Sequence, residues 1–380
     1  MKAATIEFLR QRFGEYYRQA FLPEPTGLSQ REWGFVLFSP DYPDVMMRRH
    51  IGFSDGNELA SYIRNLVPAH TYYSSAYYEN PGAPTMATKG WSGADLIFDL
   101  DADHLMHGPY DLMLARVKEE TGKLIAMLTG ELGFDPRVIE LVFSGGRGYH
   151  VHVKDLAVRG FSSAERRELI DYVCGIGLDM GTMLVSSPSP RGWRARYISA
   201  LSEYLTWLGE IPGEEALAAL LSLEGVGETY ATLFLKRRPQ LLSALASGEG
   251  VNSKDRTVSV VLKALHEAQD GGFLSRLKAK AALADEPVTT DTKRLIRMPG
   301  SLHGGSGFRV TPVPVRELPD FNPLVDAVVF GDRRIPVDLP SKKTVPLLGN
   351  TYRIDEGVSP VPEAVAVFLC CRGWAEIAGG

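Results

Sequence analysis

The strongest constraint on the fold is an apolar stretch that ends in closely spaced carboxylates. Residues 96–103 read LIFDLDAD, so Asp99, Asp101 and Asp103 occupy alternate positions. The side chains of a β-strand alternate between two faces, and a strand through this whole segment would place the three carboxylates on one face. Like charges at this spacing repel each other unless a divalent cation lies between them. The segment therefore predicts a buried strand that ends at a metal site.

Other interpretations of this acidic segment are a calcium loop, a solvated turn and a glycosyl-transfer motif. An EF-hand loop needs Gly at its sixth position and Glu at its twelfth. Those positions hold His104 and Tyr110, which excludes that loop. A solvated turn without a ligand stays open, although the preceding apolar residues favour a core strand. Asp-x-Asp elements also serve metal-dependent glycosyl transfer, so the segment alone does not identify a substrate.

A second element, SGGRGYHVHV at residues 144–153, combines flexibility with polar side chains. Its glycines allow the backbone to approach an anion closely, and Ser144 and Arg147 add a hydroxyl and a guanidinium. The spacing matches neither a P-loop nor a dinucleotide fingerprint. His150 and His152 share one strand face, but no third zinc ligand stands at a useful spacing. A glycine-rich hairpin with two half-exposed histidines is the alternative.

A third element is a basic segment in a chain whose net charge is −5. Residues 291–309 contain four Lys or Arg residues, one Asp, His303 and several glycines. The cations are Lys293, Arg294, Arg297 and Arg309. Basic groups and flexible turns suit a polyphosphate, although a basic surface hairpin has the same composition. Together the three elements predict phosphoryl or nucleotidyl transfer.

The hydrophobic pattern predicts a mixed α/β fold with a helical insertion. Helices are predicted at 1–21 and 110–132, and strands at 33–38, 45–53, 94–101, 138–143 and 149–153. Ser162 and Glu165 form a capping-box signature, and the pattern is helical from there to about residue 283. Strand-and-turn character returns at 288–314, before a last helix over 362–377. We therefore expect an α/β core from residues 1–160 and 284–380, with a helical subdomain at 161–283.

Composition limits the compartment and the way nucleic acid could bind. The acidic net charge excludes a general basic surface, so local clusters or a partner must hold any nucleic acid. The three cysteines include no CxxC pair, which argues against a disulfide framework or a thiolate zinc site. No apolar run approaches the ~20 residues that span a bilayer. The start of the chain lacks signal-peptide architecture, so we expect a cytoplasmic protein without a membrane anchor.

The three elements in this order resemble the catalytic small subunit of archaeal and eukaryotic DNA primases, in the archaeo-eukaryotic primase superfamily. The similarity rests on FDLD at 98–101, SGGRGYH at 144–150 and RMPGSLHG at 297–304. REWGF at 31–35 and MRRH at 47–50 also resemble N-terminal elements of the family. The resemblance implies a primase core of β-sheets flanked by helices, with an inserted α-helical subdomain. It also implies primer synthesis by two-metal nucleotidyl transfer.

The resemblance assigns roles to individual residues by motif position. Asp99, Asp101 and Asp285 would be the catalytic carboxylates that bind two Mg²⁺ or Mn²⁺ ions. The residues implied to hold the incoming nucleotide are Ser144, Arg147, His150, Arg297 and His303, with Glu32 and Arg49 at matching positions nearby. Asp103 and His152 lie outside the family motifs, and their roles and that of His104 stay open.

This chain departs from the family pattern in two places. Many relatives carry a Cys/His zinc knuckle between the first two motifs, but residues 104–143 contain no cysteine. We therefore predict no structural zinc, although His104 and His107 keep the question open. The eukaryotic enzymes have two consecutive arginines where this chain has Gly146 and Arg147, so one triphosphate contact is missing or supplied elsewhere.

The resemblance favours a replicative primase subunit. It implies a heterodimer with a large subunit similar to the family's iron–sulfur partner, which acts on single-stranded DNA with NTPs or dNTPs. A repair or damage-tolerance primase-polymerase of the same superfamily is the alternative, since it shares the Asp-x-Asp and Ser-Gly-x-x-Gly-x-His chemistry. The RMPGSLH segment and the N-terminal elements favour the replicative type. A nucleotide-binding regulator without catalysis is disfavoured because all three carboxylates are present.

Overall fold

A computed structural model describes the chain except residues 106, 250, 252–254, 269–271 and 379–380, together with the side chain of His104. The described chain divides into two compact units. The first unit comprises Met1–Ile125, Gly133–Glu168 and Ala284–Gly380, and the second comprises Ala126–Leu132 and Leu169–Leu283. No helix in the described part of the chain is long and apolar enough to cross a membrane.

The secondary structure consists of helices and short strands. The helices are α1 (Ala3–Gln19), α2 (Gly56–Leu66), α3 (Tyr110–Gly130), α4 (Ser163–Cys174), α5 (Met180–Met183), α6 (Gly192–Glu210), α7 (Gly213–Leu221), α8 (Glu228–Ser247), α9 (Arg256–Glu267), α10 (Gly272–Lys278), α11 (Glu286–Thr290), α12 (Pro323–Asp326) and α13 (Glu363–Cys371). The strands are β1 (Trp33–Leu37), β2 (Arg48–Ile51), β3 (Pro68–Ser74), β4 (Ala76–Tyr78), β5 (Trp91–Ala94), β6 (Leu96–Asp101), β7 (Ile139–Phe143), β8 (Gly148–Val153), β9 (Leu295–Arg297), β10 (Thr311–Val313), β11 (Arg334–Leu339), β12 (Lys343–Leu347), β13 (Asn350–Ile354), β14 (Gly357–Pro362) and β15 (Glu376–Ile377). The predicted mixed α/β fold is confirmed.

The first unit holds all the strands of the described chain, in antiparallel sheets. One four-stranded sheet has the order β2-β1-β3-β9, and another has the order β10-β7-β8-β6. Smaller sheets have the orders β14-β11-β15, β12-β13 and β4-β5. β6 is apolar and buried along most of its length, because Leu96, Ile97, Phe98 and Leu100 are all buried. Its carboxyl end therefore emerges from a core, as the sequence predicts.

Close backbone packing fixes the register of β6 against β8. Asp99 lies opposite His150, and Asp101 lies opposite Gly148. A Cβ atom added at Gly148 would stand 2.1 Å from the carbonyl oxygen of Leu100, a distance that no real contact allows. Glycine at this position is thus required for the strand pairing that sets Asp99 beside His150.

A small apolar cluster fixes α11 against two strands. Val288 of α11, Ile97 of β6 and Ile296 of β9 are buried and pack together. Residues 288–290 were expected in a strand-and-turn region, whereas they belong to a helix, and Asp285 stands at the N-cap position of that helix. The cluster explains the difference, since a short helix can bury Val288 against both strands at once.

The strand predicted at 94–101 is confirmed over residues 96–101, but it does not continue through Asp103. β6 ends at Asp101, and residues 102–104 form a 3₁₀ turn. The Oδ1 atom of Asp101 accepts a hydrogen bond of 3.0 Å from the backbone N–H of Asp103. This local cap turns the chain, so Asp103 does not continue the strand face of Asp99 and Asp101.

The C-terminal region differs from the predicted helix over 362–377. α13 ends at Cys371, and β15 follows and pairs with β11. Gly373 has φ of +67°, and the N–H groups of Gly373 and Trp374 donate to the carbonyls of Cys370 and Leu369. This is a Schellman motif, which ends a helix at a glycine. Strands β11–β14 were not predicted.

The second unit contains helices and no strand in the part that the structure describes. Large side chains of α6 and α10 are buried there, including Trp193, Tyr197, Tyr204 and Phe273. In the first unit, the predicted capping box before α4 is confirmed. The Oε2 atom of Glu165 accepts from the N–H of Ser162 at 2.7 Å, and the N–H of Glu165 donates to the Ser162 hydroxyl at 3.4 Å.

Candidate active site

The structure brings the three predicted catalytic carboxylates to one region of the first unit. Asp99 and Asp101 lie near the carboxyl end of strand β6, and the side chain of Asp99 is 22% exposed. Asp285 reaches this strand through its backbone, because its N–H donates to the Asp99 carbonyl oxygen at 2.8 Å. Burial, followed by the charges of Asp101 and Asp285, raises the pKa of Asp99 to about 7, and Arg297 opposes this rise. The environment of Asp99 thus disfavours its ionised form in the absence of a cation.

These carboxylates fit a divalent cation by the chemistry of their donor atoms and by their charge. Carboxylate oxygens are the ligands that Mg²⁺ and Mn²⁺ prefer, and a cation would offset the burial and the carboxylate charges that raise the pKa of Asp99. Within the described ranges, however, no three His, Cys, Asp or Glu side chains already form a cage for an ion. The described residues therefore supply carboxylate oxygens, but no three of their side chains are already arranged to coordinate one ion.

A cavity of about 390 Å³ adjoins Asp99. Its lining includes two carboxylates and four cations, an excess of positive charge in a chain that is acidic overall. These charged residues are Asp99, Asp291, Arg49, Lys293, Arg294 and Arg297. Such an arrangement suits an anionic ligand with several charges, because clustered cations concentrate a positive potential in a cleft.

His150 lies on the wall of this cavity, and its Nε2 atom is 3.6 Å from the Oδ1 atom of Asp99. Burial, with the nearby charges of His152, Arg297 and Arg294, holds the pKa of His150 well below its usual range. The imidazole is therefore neutral, with one N–H donor and one acceptor nitrogen. Its Nδ1 atom is buried and has no hydrogen-bond partner in the described chain, so the ring retains capacity to bind a ligand.

Arg297 and Arg49 contribute cations to the cavity from different strands. Arg297 lies opposite Tyr72 in the pairing of β9 with β3, and its guanidinium carbon is 5.5 Å from the Tyr72 ring centroid. The Nε atom of Arg297 is buried without a partner among the described atoms. Arg49 lies on β2 and its side chain is 40% exposed. Both guanidinium groups can therefore contact a ligand in the cavity.

Glu32 contacts Arg49 and does not line the cavity. Its side chain is fully buried, and its Oε1 atom accepts from Arg49 Nε at 3.1 Å and from the N–H of His50 at 3.2 Å. The Nζ atom of Lys89, also fully buried, is 3.7 Å from Glu32 Oε2. His50 has φ of +62°, a left-handed conformation that is unfavourable outside glycine. The Glu32 carboxylate thus holds both the Arg49 side chain and the adjacent backbone.

The glycine-rich turn between β7 and β8 positions Ser144 and Arg147. The N–H of Ser144 donates to the Gly148 carbonyl at 2.9 Å, and the Ser144 hydroxyl accepts from the N–H of Gly146 at 3.4 Å. Arg147 forms an ion pair with Asp103, and its Nε atom is 3.9 Å from Asp101 Oδ1. These two contacts hold the Arg147 side chain against the acidic segment.

His303 packs against this glycine-rich turn. Cβ atoms added at Gly145 and Gly146 would lie 2.8 Å from His303 Cβ and 3.2 Å from His303 Nε2. Burial, followed by the charge of Arg297, lowers the pKa of His303 well below its usual range. The Nδ1 atom accepts a hydrogen bond of 3.1 Å from the N–H of Gly305, so the neutral ring carries its hydrogen on Nε2. His303 thus presents an N–H donor beside the turn.

The predicted residues therefore fall into two neighbouring groups. Asp99, His150, Arg297 and Arg49 line the 390 Å³ cavity. Asp101, Asp285, Ser144, Arg147 and His303 do not line it; they contact β6, the glycine-rich turn or each other. His152 is fully buried, and both of its ring nitrogens lack partners within the described ranges.

Four residues at or behind the cavity wall were not assigned to the site from the sequence. Lys293 and Arg294 belong to the basic segment that was identified, but no motif position singled them out. Tyr72 lies on β3, a strand that was not predicted, and its ring stacks with Arg297. Lys89 gave no signal, because an isolated lysine in a sequence is typical of the surface.

Comparison with known proteins identifies the family of this chain. The sequence model of a family described as DNA primase small subunit matches residues 98–315. A protein of Methanoregula boonei named DNA primase small subunit PriS is 63% identical over 380 residues and covers 100% of both chains. Proteins with the same name from Methanosphaerula palustris and Methanocorpusculum labreanum are 54% and 52% identical, again over 100% of both chains. This chain belongs to the DNA primase small subunit family.

Proposed function

We propose that this chain is the catalytic subunit of a DNA primase, a nucleotidyltransferase that synthesises short primers on single-stranded DNA from nucleoside triphosphates. The observation that supports this best is the position of Asp99. This half-buried carboxylate lies beside Asp101 and Asp285 and faces a cavity whose lining carries four cations. Groups that bind divalent cations and groups that bind polyphosphate are the two requirements of nucleotidyl transfer.

The carboxylates of Asp99, Asp101 and Asp285 would hold two Mg²⁺ or Mn²⁺ ions. When bound, these ions would stabilise charge on the transferring phosphate and lower the pKa of the primer 3′-hydroxyl. Asp99 must release its proton before it binds a cation. With a pKa of about 7, Asp99 is protonated in a large fraction of molecules at neutral pH until a cation displaces the proton.

The cations of the cavity would bind and orient the triphosphate. Arg49 and Arg297 can form paired N–H···O contacts to phosphate oxygens, and Lys293 and Arg294 add charge at the same wall. His150 and His303, both neutral, can hydrogen-bond to phosphate oxygens without a change of protonation. Ser144 and Arg147 would complete the binding site from the glycine-rich turn. Glu32 would act through Arg49 and not through the ligand.

A large regulatory subunit is proposed as the partner in a heterodimer. The relatives' name describes them as small subunits, which supports a second and larger chain. The net charge of −5 supports the same proposal, because template binding by this chain alone lacks a general basic surface. Every proposed site residue belongs to the first compact unit.

Primer synthesis on single-stranded DNA tests the proposal. The full chain, with and without its large subunit, is incubated with Mg²⁺ or Mn²⁺ and either NTPs or dNTPs, with no primer supplied. We expect template-dependent products from the wild type and a loss of at least about 100-fold in Asp101→Asn, because metal ligation contributes several kcal/mol to such reactions. Asp332→Asn, an exposed carboxylate, is the matched control.

The outcomes of this assay separate the proposal from its alternatives. Products at wild-type level from a folded Asp101→Asn protein would contradict the assignment of the catalytic carboxylates. A parallel reaction on a primed template tests the repair-type alternative, which extension of that primer without initiation on unprimed template would favour. Tight nucleotide binding without any product, in the presence of the large subunit, would favour a regulator.

A further inference from the structure

A second cavity of the first unit, of about 670 Å³, shares no lining residue with the 390 Å³ cavity. Its walls come from the start of α3, the β12–β13 hairpin and the C-terminal end of α13. The residues that determine its chemistry are Tyr110, Phe368, Trp374, Arg147, Arg372 and Asp103. Its volume lies within the range of roughly 300–1,000 Å³ that is typical of ligand pockets.

Arg372 gives one wall of this cavity a cationic and aromatic character. Its guanidinium carbon is 4.4 Å from the Tyr110 ring centroid, 5.4 Å from that of Phe368 and 5.8 Å from that of Trp374. The Nε atom of Arg372 is buried and has no hydrogen-bond partner in the described part of the chain. A buried N–H without an acceptor is unfavourable, and a ligand with an acceptor atom would satisfy it. Aromatic rings and a guanidinium plane together favour a flat aromatic ligand.

This cavity is connected directly to the proposed active site. Arg147 lines it and also pairs with Asp103 and approaches Asp101. The hydroxyl of Tyr110 donates a hydrogen bond to the carbonyl of Gly146, within the glycine-rich turn. A ligand in the second cavity would therefore contact the elements that hold the catalytic carboxylates and the triphosphate.

The charge of the cavity limits what the ligand can be. Two arginines, Arg147 and Arg372, are balanced by two carboxylates, Asp103 and Asp111. The 390 Å³ cavity differs, since its lining has more cations than carboxylates. A balanced cavity does not favour a free triphosphate, which carries several negative charges. It suits the base of a nucleotide within a strand, where each nucleotide brings a single charge.

We propose that the second cavity binds one nucleotide of a single-stranded nucleic acid, with its base against Arg372 and the aromatic rings. This inference rests on the proposed function and adds a place where the template strand contacts this chain. Stacking of bases on aromatic and arginine side chains is how sequence-tolerant single-strand binding is achieved. The same base could also arrive as a free nucleotide, and the experiment below separates these two sources.

A variant that fills the cavity tests the proposal by binding alone. Thr351 lines the cavity from β13, and Thr351→Trp would occupy part of its volume. Ser341→Trp adds the same side chain at an exposed position before β12 that does not line it. Binding of fluorescein-labelled oligo(dT) is measured by anisotropy at low ionic strength without divalent cations, and ATP binding is measured in parallel. We expect Thr351→Trp to weaken oligo(dT) binding roughly tenfold, as for loss of one stacked base, and to leave ATP binding unchanged.

Each outcome decides the proposal. Ser341→Trp should bind both probes as the wild type does. If Thr351→Trp weakens ATP binding and not oligo(dT) binding, a free nucleotide occupies the cavity and the strand assignment is wrong. If it matches Ser341→Trp with both probes, the cavity binds no nucleotide. Thr344→Trp fills the same cavity from β12 and replaces Thr351→Trp if thermal unfolding shows that the latter does not fold. Absence of primer synthesis by the wild type would overturn the proposed function separately, since no binding result depends on it.

Discussion

The backbone N–H of Asp285 donates a hydrogen bond of 2.8 Å to the carbonyl oxygen of Asp99. The two residues are remote in sequence, and neither side chain takes part in this bond. Packing of Val288 of α11 against Ile97 and Ile296 holds the helix that begins just after Asp285. A carboxylate that could not be placed by spacing is thus fixed beside β6 by backbone and apolar contacts. Its side chain remains available for a ligand.

The first prediction follows from this separation of backbone and side chain. Asp285→Asn should preserve the fold, because the backbone hydrogen bond and the Val288 cluster are unchanged. Primer synthesis should fall by about 100-fold or more, and a higher Mn²⁺ concentration should be needed for half-maximal activity, because one anionic ligand is lost. The measurements are the melting temperature and a Mn²⁺ titration of primer synthesis.

Glu286→Gln is the matched control for Asp285→Asn. Glu286 is the next residue along the chain, and it forms a surface ion pair with Arg167. An exposed pair contributes little to stability, so this variant should retain the wild-type Mn²⁺ dependence. Equal effects of the two substitutions would contradict a specific role of Asp285.

The second prediction concerns the pH dependence of stability. The pKa of Asp99 is raised from an ordinary value near 3.8 to about 7 in the folded protein, mainly by burial. The folded state therefore favours the protonated acid, and this carboxyl destabilises the fold increasingly as the pH rises from about 4 to 7. Asp99→Asn removes this effect. Without divalent cations it should stabilise the protein at pH 8 by up to about 4 kcal/mol, with the gain vanishing near pH 4.

Chemical denaturation of both proteins in EDTA at pH 5, 6, 7 and 8 measures this difference in the free energy of unfolding. Addition of Mg²⁺ should reduce the advantage of Asp99→Asn at pH 8, because a bound cation stabilises the ionised wild-type carboxylate. A lower stability of Asp99→Asn than of the wild type at pH 8 in EDTA would show that burial does not destabilise the ionised Asp99 carboxylate.

The third prediction compares two glycines. Gly148→Ala would place a Cβ atom 2.1 Å from the Leu100 carbonyl oxygen, which the pairing of β6 with β8 cannot accommodate. We expect a loss of several kcal/mol in stability and a loss of primer synthesis.

Gly122 lies within α3, and no described atom within 4 Å would contact its added Cβ. Gly122→Ala should stabilise the protein by roughly 0.5–1 kcal/mol, the difference in helix propensity. Urea unfolding measures the change in the free energy of unfolding for each variant, which should be a loss for Gly148→Ala and a gain for Gly122→Ala. Similar effects of the two substitutions would contradict the pairing of β6 with β8 that sets Asp99 beside His150.

The parts of the site that could be predicted are those that a short, continuous sequence segment encodes. The end of β6 was predictable because apolar residues and alternating carboxylates stand side by side, and the glycine-rich turn was predictable from its composition. The helical turn at residues 102–104 was not, because the Asp101 side chain caps the following backbone and competes with strand continuation. Strands β11–β14 were missed although Ile335, Val337 and Leu339 are buried at alternate positions. The burial of a polar side chain such as Lys89 depends on contacts with residues remote along the chain, so the local sequence carries no pattern that predicts it.

The contacts of Glu32 identify a buried group of charges that supports Arg49 from outside the cavity. Lys89 and Glu32 are both fully buried, and Lys89 also donates to the carbonyl of Pro81. Burial lowers the pKa of Lys89, and the charge of Glu32 opposes this. A buried carboxylate needs compensating charge, which Lys89 supplies from one direction and Arg49 from another. Lys89 is therefore a positioning residue in this interpretation, since it contacts neither the cavity nor the carboxylates of β6.

The fourth prediction is that Lys89→Met acts on nucleotide binding through Arg49. Without Lys89, Arg49 is the remaining cation of Glu32, which should draw it inward and away from the nucleotide. The KM for nucleoside triphosphate should therefore rise roughly tenfold, equivalent to about 1.4 kcal/mol, while kcat changes little.

Lys342→Met, at a surface ion pair, should leave both constants unchanged. In the double variant Glu32→Gln, Lys89→Met, the buried charges are removed together, so its KM should match that of Glu32→Gln alone, because Lys89 has no other route to the nucleotide. Steady-state kinetics of the wild type and the four variants, with melting temperatures to confirm folding, test this prediction. An additive increase of KM in the double variant, or a fall in kcat alone, would show that Lys89 does not act through Glu32 and Arg49.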